Sequence, residues 1–152
     1  TGKLSALQKE YLSGIEGAKF IIIGSEDAVS LDLEEELGEY GTVEDRLGGN
    51  SRYHTSVLIA ERFFEKPEYA VLAYGQEFPD GLSGAPLAHA LKAPILLARN
   101  KDASVKYAVS YCEENEITLG YVLGENSEER ISDAYAKKIF GLNENDEIIV
   151  RE

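Results

Sequence analysis

The sequence predicts an α/β protein in which alternating βα units build a parallel sheet with helices on both faces. Three observations carry that prediction. Short apolar runs rich in Val and Ile alternate with amphipathic stretches along the whole chain. Strict alternation of this kind implies right-handed crossovers and hence parallel strands. Part of the order also returns after 100 positions, from Gly24 to Gly124 and from Gly41 to Gly141.

Strands are expected at 18–23 (AKFIII), 42–47 (TVEDRL), 69–74, 94–98 (PILLA), 118–123 (TLGYVL) and 146–150 (DEIIV). Helices are expected at 4–14, 29–39, 51–64, 80–91, 103–115 and 128–140. The polar run at 42–47 suits a sheet edge. In the internal echo, Phe20-Ile-Ile-Ile-Gly24, Val29-Ser30 and a helix ending at Gly41 are answered by Gly120-Tyr-Val-Leu-Gly124, Ile131-Ser132-Asp133 and a helix ending at Gly141. The chain therefore reads as about one and a half copies of a repeat of ~100 residues. No linker or low-complexity segment interrupts it, which predicts one compact body.

Composition bounds the function. The 152 residues are 43% hydrophobic, enough for a core, and contain no apolar stretch of the ~20 residues a bilayer span needs. With 15 Lys+Arg against 28 Asp+Glu, the net charge of −13 argues against a general nucleic-acid binder, which needs a basic face. The single cysteine, Cys112, excludes an internal disulfide and a cysteine-cluster metal site. The chain has no methionine and begins at Thr1, so it is expected to be a processed or excised piece of a longer protein.

The most marked stretch is Arg46-Leu-Gly-Gly-Asn-Ser-Arg-Tyr-His-Thr-Ser56, where a strand meets a helix. Asn50 or Ser51 is placed to cap that helix. Glycines permit a sharp turn or close backbone approach, and free N–H groups at a helix start attract anions. Arg52 in the first turn opposes the helix dipole and so calls for a carboxylate or phosphate nearby. Two readings stand: an anion-binding corner, or an arginine paired with one of the chain's many acids.

A second stretch, Tyr74-Gly-Gln-Glu-Phe-Pro-Asp-Gly-Leu-Ser-Gly-Ala-Pro-Leu-Ala88, places Pro79 and Asp80 in a first helical turn, with Asp80 within possible reach of Arg52 or Arg46. Gly81, Gly84 and Ala85 keep the helix face small, as on a packing surface. Ser83 lacks the second flanking glycine of a nucleophile elbow, and only His54 and His89 could act as its base. No phosphate-loop pattern is present, and two distant histidines with one cysteine lack zinc-ligand spacing. No cofactor, metal or catalytic residue is expected. Acidic runs such as Glu34-Glu35-Glu36 read as solvated helix faces.

Taken together, these stretches resemble the type 2 cell wall-binding repeat of Gram-positive surface and S-layer-associated proteins. Its hallmark, Arg-(Ile/Leu)-x-Gly-x-(Asp/Asn)-Arg-Tyr-x-Thr-(Ser/Ala)-x-x-Ile-Ala, is met by Arg46, Leu47, Gly49, Arg52, Tyr53, Thr55, Ser56, Ile59 and Ala60. Phe78-Pro79-Asp80-Gly81-Leu82-Ser83, Pro94-Ile95-Leu96-Leu97 and Ile131-Ser132-Asp133 follow in the family's order. The sequence departs from the pattern at Ser51, where Asp is common, and at Gly24-Ser25 and Gly124-Glu125, where the family has a glycine pair.

The resemblance implies Rossmann-like repeats, with residues 1–45 the second half of one and 46–152 a nearly complete next one. It implies a non-catalytic, extracellular, wall-associated module that anchors a surface protein to an anionic polymer and packs against other repeats of its own or a neighbouring chain. The alternatives are an assembly module and a small α/β hydrolase. Polymer-binding or interface residues implied are Arg46, Arg52, Tyr53, Thr55, Asp80, Ser83, Ile95, Leu96 and Leu97. From the residues alone, Ile95 to Leu97 equally suit a buried strand. Given the charge of −13, a polyanion requires a local basic groove drawn from Arg46, Arg52, Arg62, Lys92, Arg99 and Lys101, or bridging cations.

Overall fold

The computed structural model describes residues 3–146, and its contacts divide the chain into two units, Thr1–Asn50 and Ser51–Glu152. The first holds α1 (Ala6–Ser13), β1 (Ala18–Ile23), α2 (Leu31–Gly38) and β2 (Gly41–Leu47). Helix α1 starts at a capping box: the Ser5 hydroxyl accepts from Gln8 N at 3.3 Å, and the Gln8 side chain accepts from Ser5 N at 2.8 Å. Ser30 caps α2, whose first turn carries Asp32 and Glu34 where the helix dipole favours them. Strands β1 and β2 pair in parallel, with a register shift between Phe20 and Ile21. Neither helix of this unit has a buried residue, and its buried strand residues include Ile22 and Leu47.

The second unit contains α3 (Arg52–Phe63), β3 (Tyr69–Tyr74), α4 (Pro79–Ser83), α5 (Ala85–Leu91), β4 (Ile95–Ala98), α6 (Asp102–Glu114), β5 (Leu119–Val122) and α7 (Asp133–Ile139). Its sheet is parallel with order β4-β3-β5. Central β3 buries Ala70, Val71, Leu72 and Ala73 completely, as a continuous apolar run should when both faces are covered. Strand alternation sends Leu72 to one face, with Val57 and Ala60 of α3, Val105 and Ala108 of α6, and Ala136 and Ile139 of α7. Val71 and Ala73 point to the other face, with Ala88 and Leu91 of α5.

The α/β class, the parallel strands and the alternation are those the sequence predicts, but the strands lie in two sheets where a single sheet is expected. The helix expected over 80–91 is two helices, α4 and α5. Pro86 cannot donate the N–H that a continuous helix would send to the carbonyl of Leu82, so the helix divides at Gly84. The helix expected from 128 begins only at Asp133, because residues 123–132 form a loop held by side chains. Apart from Asp146, the strand expected at 146–150 lies outside the described residues.

Candidate functional site

The site is built where β3 and β4 end and α3 begins. Ser51 caps α3 by accepting from His54 N at 3.2 Å, and this brings Arg52 to the first turn with its side chain exposed. Nη1 of Arg52 donates to the carbonyl of Gly75 at 2.9 Å, just past the end of β3. This carbonyl supplies the partner that the dipole of α3 withholds from a cation at its start. Arg52 is therefore fixed by a backbone oxygen, and neither sequence reading anticipates that.

Three neighbours make this placement rigid. The Tyr53 ring is buried, 7% exposed, against Gly75, where an added Cβ would come within 2.5 Å of Tyr53 Cε1. Only glycine fits there. The Gln76 side-chain amide donates to the Tyr53 hydroxyl. Ser56, also buried, donates its hydroxyl to the Tyr53 carbonyl at 2.9 Å and accepts from Leu97 N at 3.0 Å, joining α3 to β4. Tyr53 is thus a packing residue beneath the site. Thr55, half-buried, donates its backbone N–H to Ser51 O at 2.9 Å within the same first turn.

Arg52 and Leu97 line an open cleft of about 780 Å³ with Gln76, Glu77, Phe78, Pro79 and Leu82. That volume falls in the range of ligand clefts. Its walls are mainly apolar, with Phe78 79% and Leu82 70% exposed at the rim. The residues Ile95 to Leu97 separate by strand parity. Leu96 is fully buried in the core, whereas Ile95 and Leu97 are half-buried on the opposite face, and of the three only Leu97 lines this cleft.

Other expected residues lie elsewhere. Arg46, in the first unit, donates from Nε and Nη2 to Glu34 Oε2 at 3.0 and 2.5 Å, and from Nη1 to the carbonyls of Gly24 at 3.0 Å and Val29 at 2.8 Å. Its guanidinium is engaged inside that unit, so a place in a polymer groove is not its visible role. Gly48 is required for close approach: an added Cβ would lie 2.7 Å from the carbonyl oxygen of Gly24. In the second unit, Asp80 pairs with Arg130, not with Arg52 or Arg46. Ser83 is exposed and donates to the Asp80 carbonyl at 3.2 Å. Of the second unit's expected basic groups, Arg52 lines the cleft, while Arg62 lies over Phe63 and Arg99 donates to the Ser104 hydroxyl at 3.2 Å.

The hydrolase reading finds no assembled triad in this geometry. Ser83 turns to its own helix, and the His54 ring stacks on Tyr107 with centroids 4.2 Å apart. Burial pushes the Cys112 thiol up to about 12, which suppresses the reactive thiolate. Among the described residues no group of three or more His, Cys, Asp or Glu could hold a metal ion, and no helix is long and apolar enough to cross a membrane.

The sequence reading missed Gln76, Phe78 and Leu82 as cleft residues, and Arg130. The large apolar side chains of Phe78 and Leu82 beside Pro79 were the available signal, because such residues in a short helix either bury or mark a surface. For Arg130 no local signal exists.

Comparison with known proteins agrees with this architecture. Residues 46–135 match the family Cell wall binding domain 2 (CWB2). An uncharacterized protein of Pyrococcus horikoshii is 38% identical over 80 residues, 52% of this chain and 24% of that protein. The N-acetylmuramoyl-L-alanine amidase LytC of Bacillus subtilis is 36% identical over 59 residues, 39% of this chain and 12% of the amidase. The solved structure of Cwp6 from Clostridium difficile superimposes with a TM-score of 0.71 at 21% identity, over 91% of this chain and 22% of Cwp6. The chain thus spans about a quarter or less of the length of each. With a match over more than half of its residues, the chain belongs to the Cell wall binding domain 2 family.

Proposed function

We propose that the chain is a non-catalytic, extracellular module that anchors a surface protein to an anionic secondary polymer of the cell wall, with the cleft of the second unit as its contact. The observation that carries this reading is Arg52, an exposed guanidinium fixed by the Gly75 carbonyl at the mouth of a cleft. Guanidinium forks match carboxylate and phosphate groups in planar, paired hydrogen bonds. Leu97, Phe78 and Leu82 offer apolar area beside that charge. Tyr53, Ser56 and Thr55 hold the α3 start in place, and Asp80 and Ser83 belong to the helix that walls the cleft. The shared stretch with LytC is a small part of that amidase, as befits a binding module joined to a separate effector.

At a net charge of −13 the chain repels polyanions at long range, so contact depends on a short-range, local fork rather than on steering. The test is co-sedimentation with purified Gram-positive cell walls. Retention that disappears when anionic polymers are extracted but survives partial peptidoglycan digestion is the expected result. Equal retention before and after extraction would contradict the reading.

The assembly alternative is favoured by one observation: α1 buries nothing, and Leu7 and Tyr11 are 76% and 71% exposed. Contiguous exposed apolar groups suit packing against another repeat. Static light scattering decides it. A concentration-dependent dimer or trimer that Leu7→Ser and Tyr11→Ser return to a monomer supports assembly, and a monomer throughout removes it.

A further inference from the structure

We infer that Arg130 is a positioning residue for the cleft, an ionic clamp that fixes α4 and with it the wall formed by Phe78, Pro79 and Leu82; the inference rests on the proposed use of that cleft. Helix α4 is short and shallowly set beside β3. It is five residues long, buries none of them, and its N-cap residue makes no side-chain cap. At its C-cap the helix passes close to Leu123, whose Cδ1 would lie 2.1 Å from a Cβ at Gly84.

Arg130 reaches this helix from the loop after β5 and meets three groups at once. Its Nη2 donates to Asp80 Oδ2, its Nη1 lies 3.7 Å from Glu77 Oε2, and its guanidinium carbon sits 4.9 Å from the Tyr74 ring centroid. The Arg130 and Asp80 side chains are 26% and 15% exposed, so the pair is shielded more than a surface bridge is. Gly124, at φ +88°, makes room for it: a Cβ there would lie 3.2 Å from Asp80 Oδ2 and 3.5 Å from Arg130 Nε.

The base of the clamp is itself anchored. Asn100 N donates to the Arg130 carbonyl at 2.9 Å, its side-chain amide donates to Ser127 O at 2.9 Å, and its Oδ1 accepts from Ser132 N at 2.8 Å. A loop held by these bonds therefore carries a guanidinium that ends on a short helix with no buried residue. That arrangement transmits the position of β5 to the cleft wall without Arg130 lining the cleft.

The experiment compares binding to purified Gram-positive cell walls for the whole chain and for Arg130→Gln, Arg130→Lys, Asp80→Asn and Arg52→Ala, with amide hydrogen exchange read alongside. Arg130→Gln and Asp80→Asn are expected to weaken wall binding by roughly tenfold while the exchange of β3 and α6 stays unchanged. Exchange at Leu82 of α4 and at its C-cap Gly84 should rise in both. Arg130→Lys, which keeps the charge but not the fork, should recover part of the loss. If Arg130→Gln fails to fold, Asp80→Asn decides, because it leaves the loop and its Asn100 bonds intact. Loss of binding in Arg52→Ala with none in the folded clamp variants overturns the inference alone. Unchanged binding in Arg52→Ala overturns the cleft reading on which it rests.

Discussion

The loop after β1 and the loop after β5 carry a similar sequence pattern and are held in different ways. Each begins at a glycine of positive φ, Gly24 at 132° and Gly124 at 88°, and each ends at a serine that starts a helix, Ser30 and Ser132. In the first unit Arg46, from the neighbouring strand β2, donates to the carbonyls of Gly24 and Val29 and to Glu34. In the second, Asn100 bonds the loop backbone, and the loop contributes its own Arg130 to Asp80. A neutral amide serves where the first unit uses a charge. The consequence is that one arginine stiffens its own unit and the other orders a cleft wall.

Substitutions at these positions should separate the two roles. Arg46→Ala removes four hydrogen bonds and leaves the carbonyls of Gly24 and Val29 and the Glu34 carboxylate without that partner; with the pair 17% and 30% exposed, the cost is discounted to about 2–3 kcal/mol. Urea unfolding should register that loss, with exchange rising across β1 and β2. Asn100→Ala deletes two side-chain bonds and is expected to cost about 1–2 kcal/mol, read in the same way. Arg130→Gln gives up one charge-assisted hydrogen bond where Arg46→Ala gives up four, so it should cost about 1 kcal/mol while it weakens binding. If Arg130→Gln destabilises the fold as much as Arg46→Ala, the contrast between the loops fails.

The smallest expected effect is on pH dependence. Burial raises Cys112 to about 12 from 9.0, and burial, with Cys112 and Glu61 adding, raises Tyr111 to about 12 from 10.0. In the window between the unfolded and folded values the native state holds protons that the unfolded chain releases. Stability in the second unit is therefore present below about pH 9 and lost as pH rises toward 12. Glu36 in the first unit has its carboxyl lowered, chiefly by hydrogen bonding to Lys9 and then by the Leu4 N–H, so its contribution is present above 4.5 and lost as pH falls through the lower folded value. Exchange measured against pH should open the two units from opposite ends of the scale. Cys112→Ala should flatten the alkaline limb, judged by slope because the substitution also removes core volume.

What was legible in the sequence is what strand and helix period determine. The run Ala70 to Ala73 reads as a covered strand, whereas the break between α4 and α5 was missed although Pro86 carries its signal. Parity along 95–97 separates Leu96 from Leu97, which the resemblance had grouped together. The destinations of long charged side chains were not legible. Asp80 meets Arg130, 50 positions away, and Arg52 meets a carbonyl that exists as its partner only because β3 ends beside α3. An arginine's partner is chosen by the tertiary fold, so sequence alone did not select Arg130 for Asp80.

If Arg52 carries the proposed contact with the wall, a matched pair of arginine substitutions shows it directly. Arg52 lines the cleft, whereas Arg62 stands at the last turn of the same helix over Phe63. Each alanine substitution removes one positive charge, so any effect of net charge is common to both. Equilibrium binding to purified Gram-positive walls should weaken at least roughly tenfold in Arg52→Ala and change by less than about threefold in Arg62→Ala. Equal losses in the two variants, or none in Arg52→Ala, would contradict the claim.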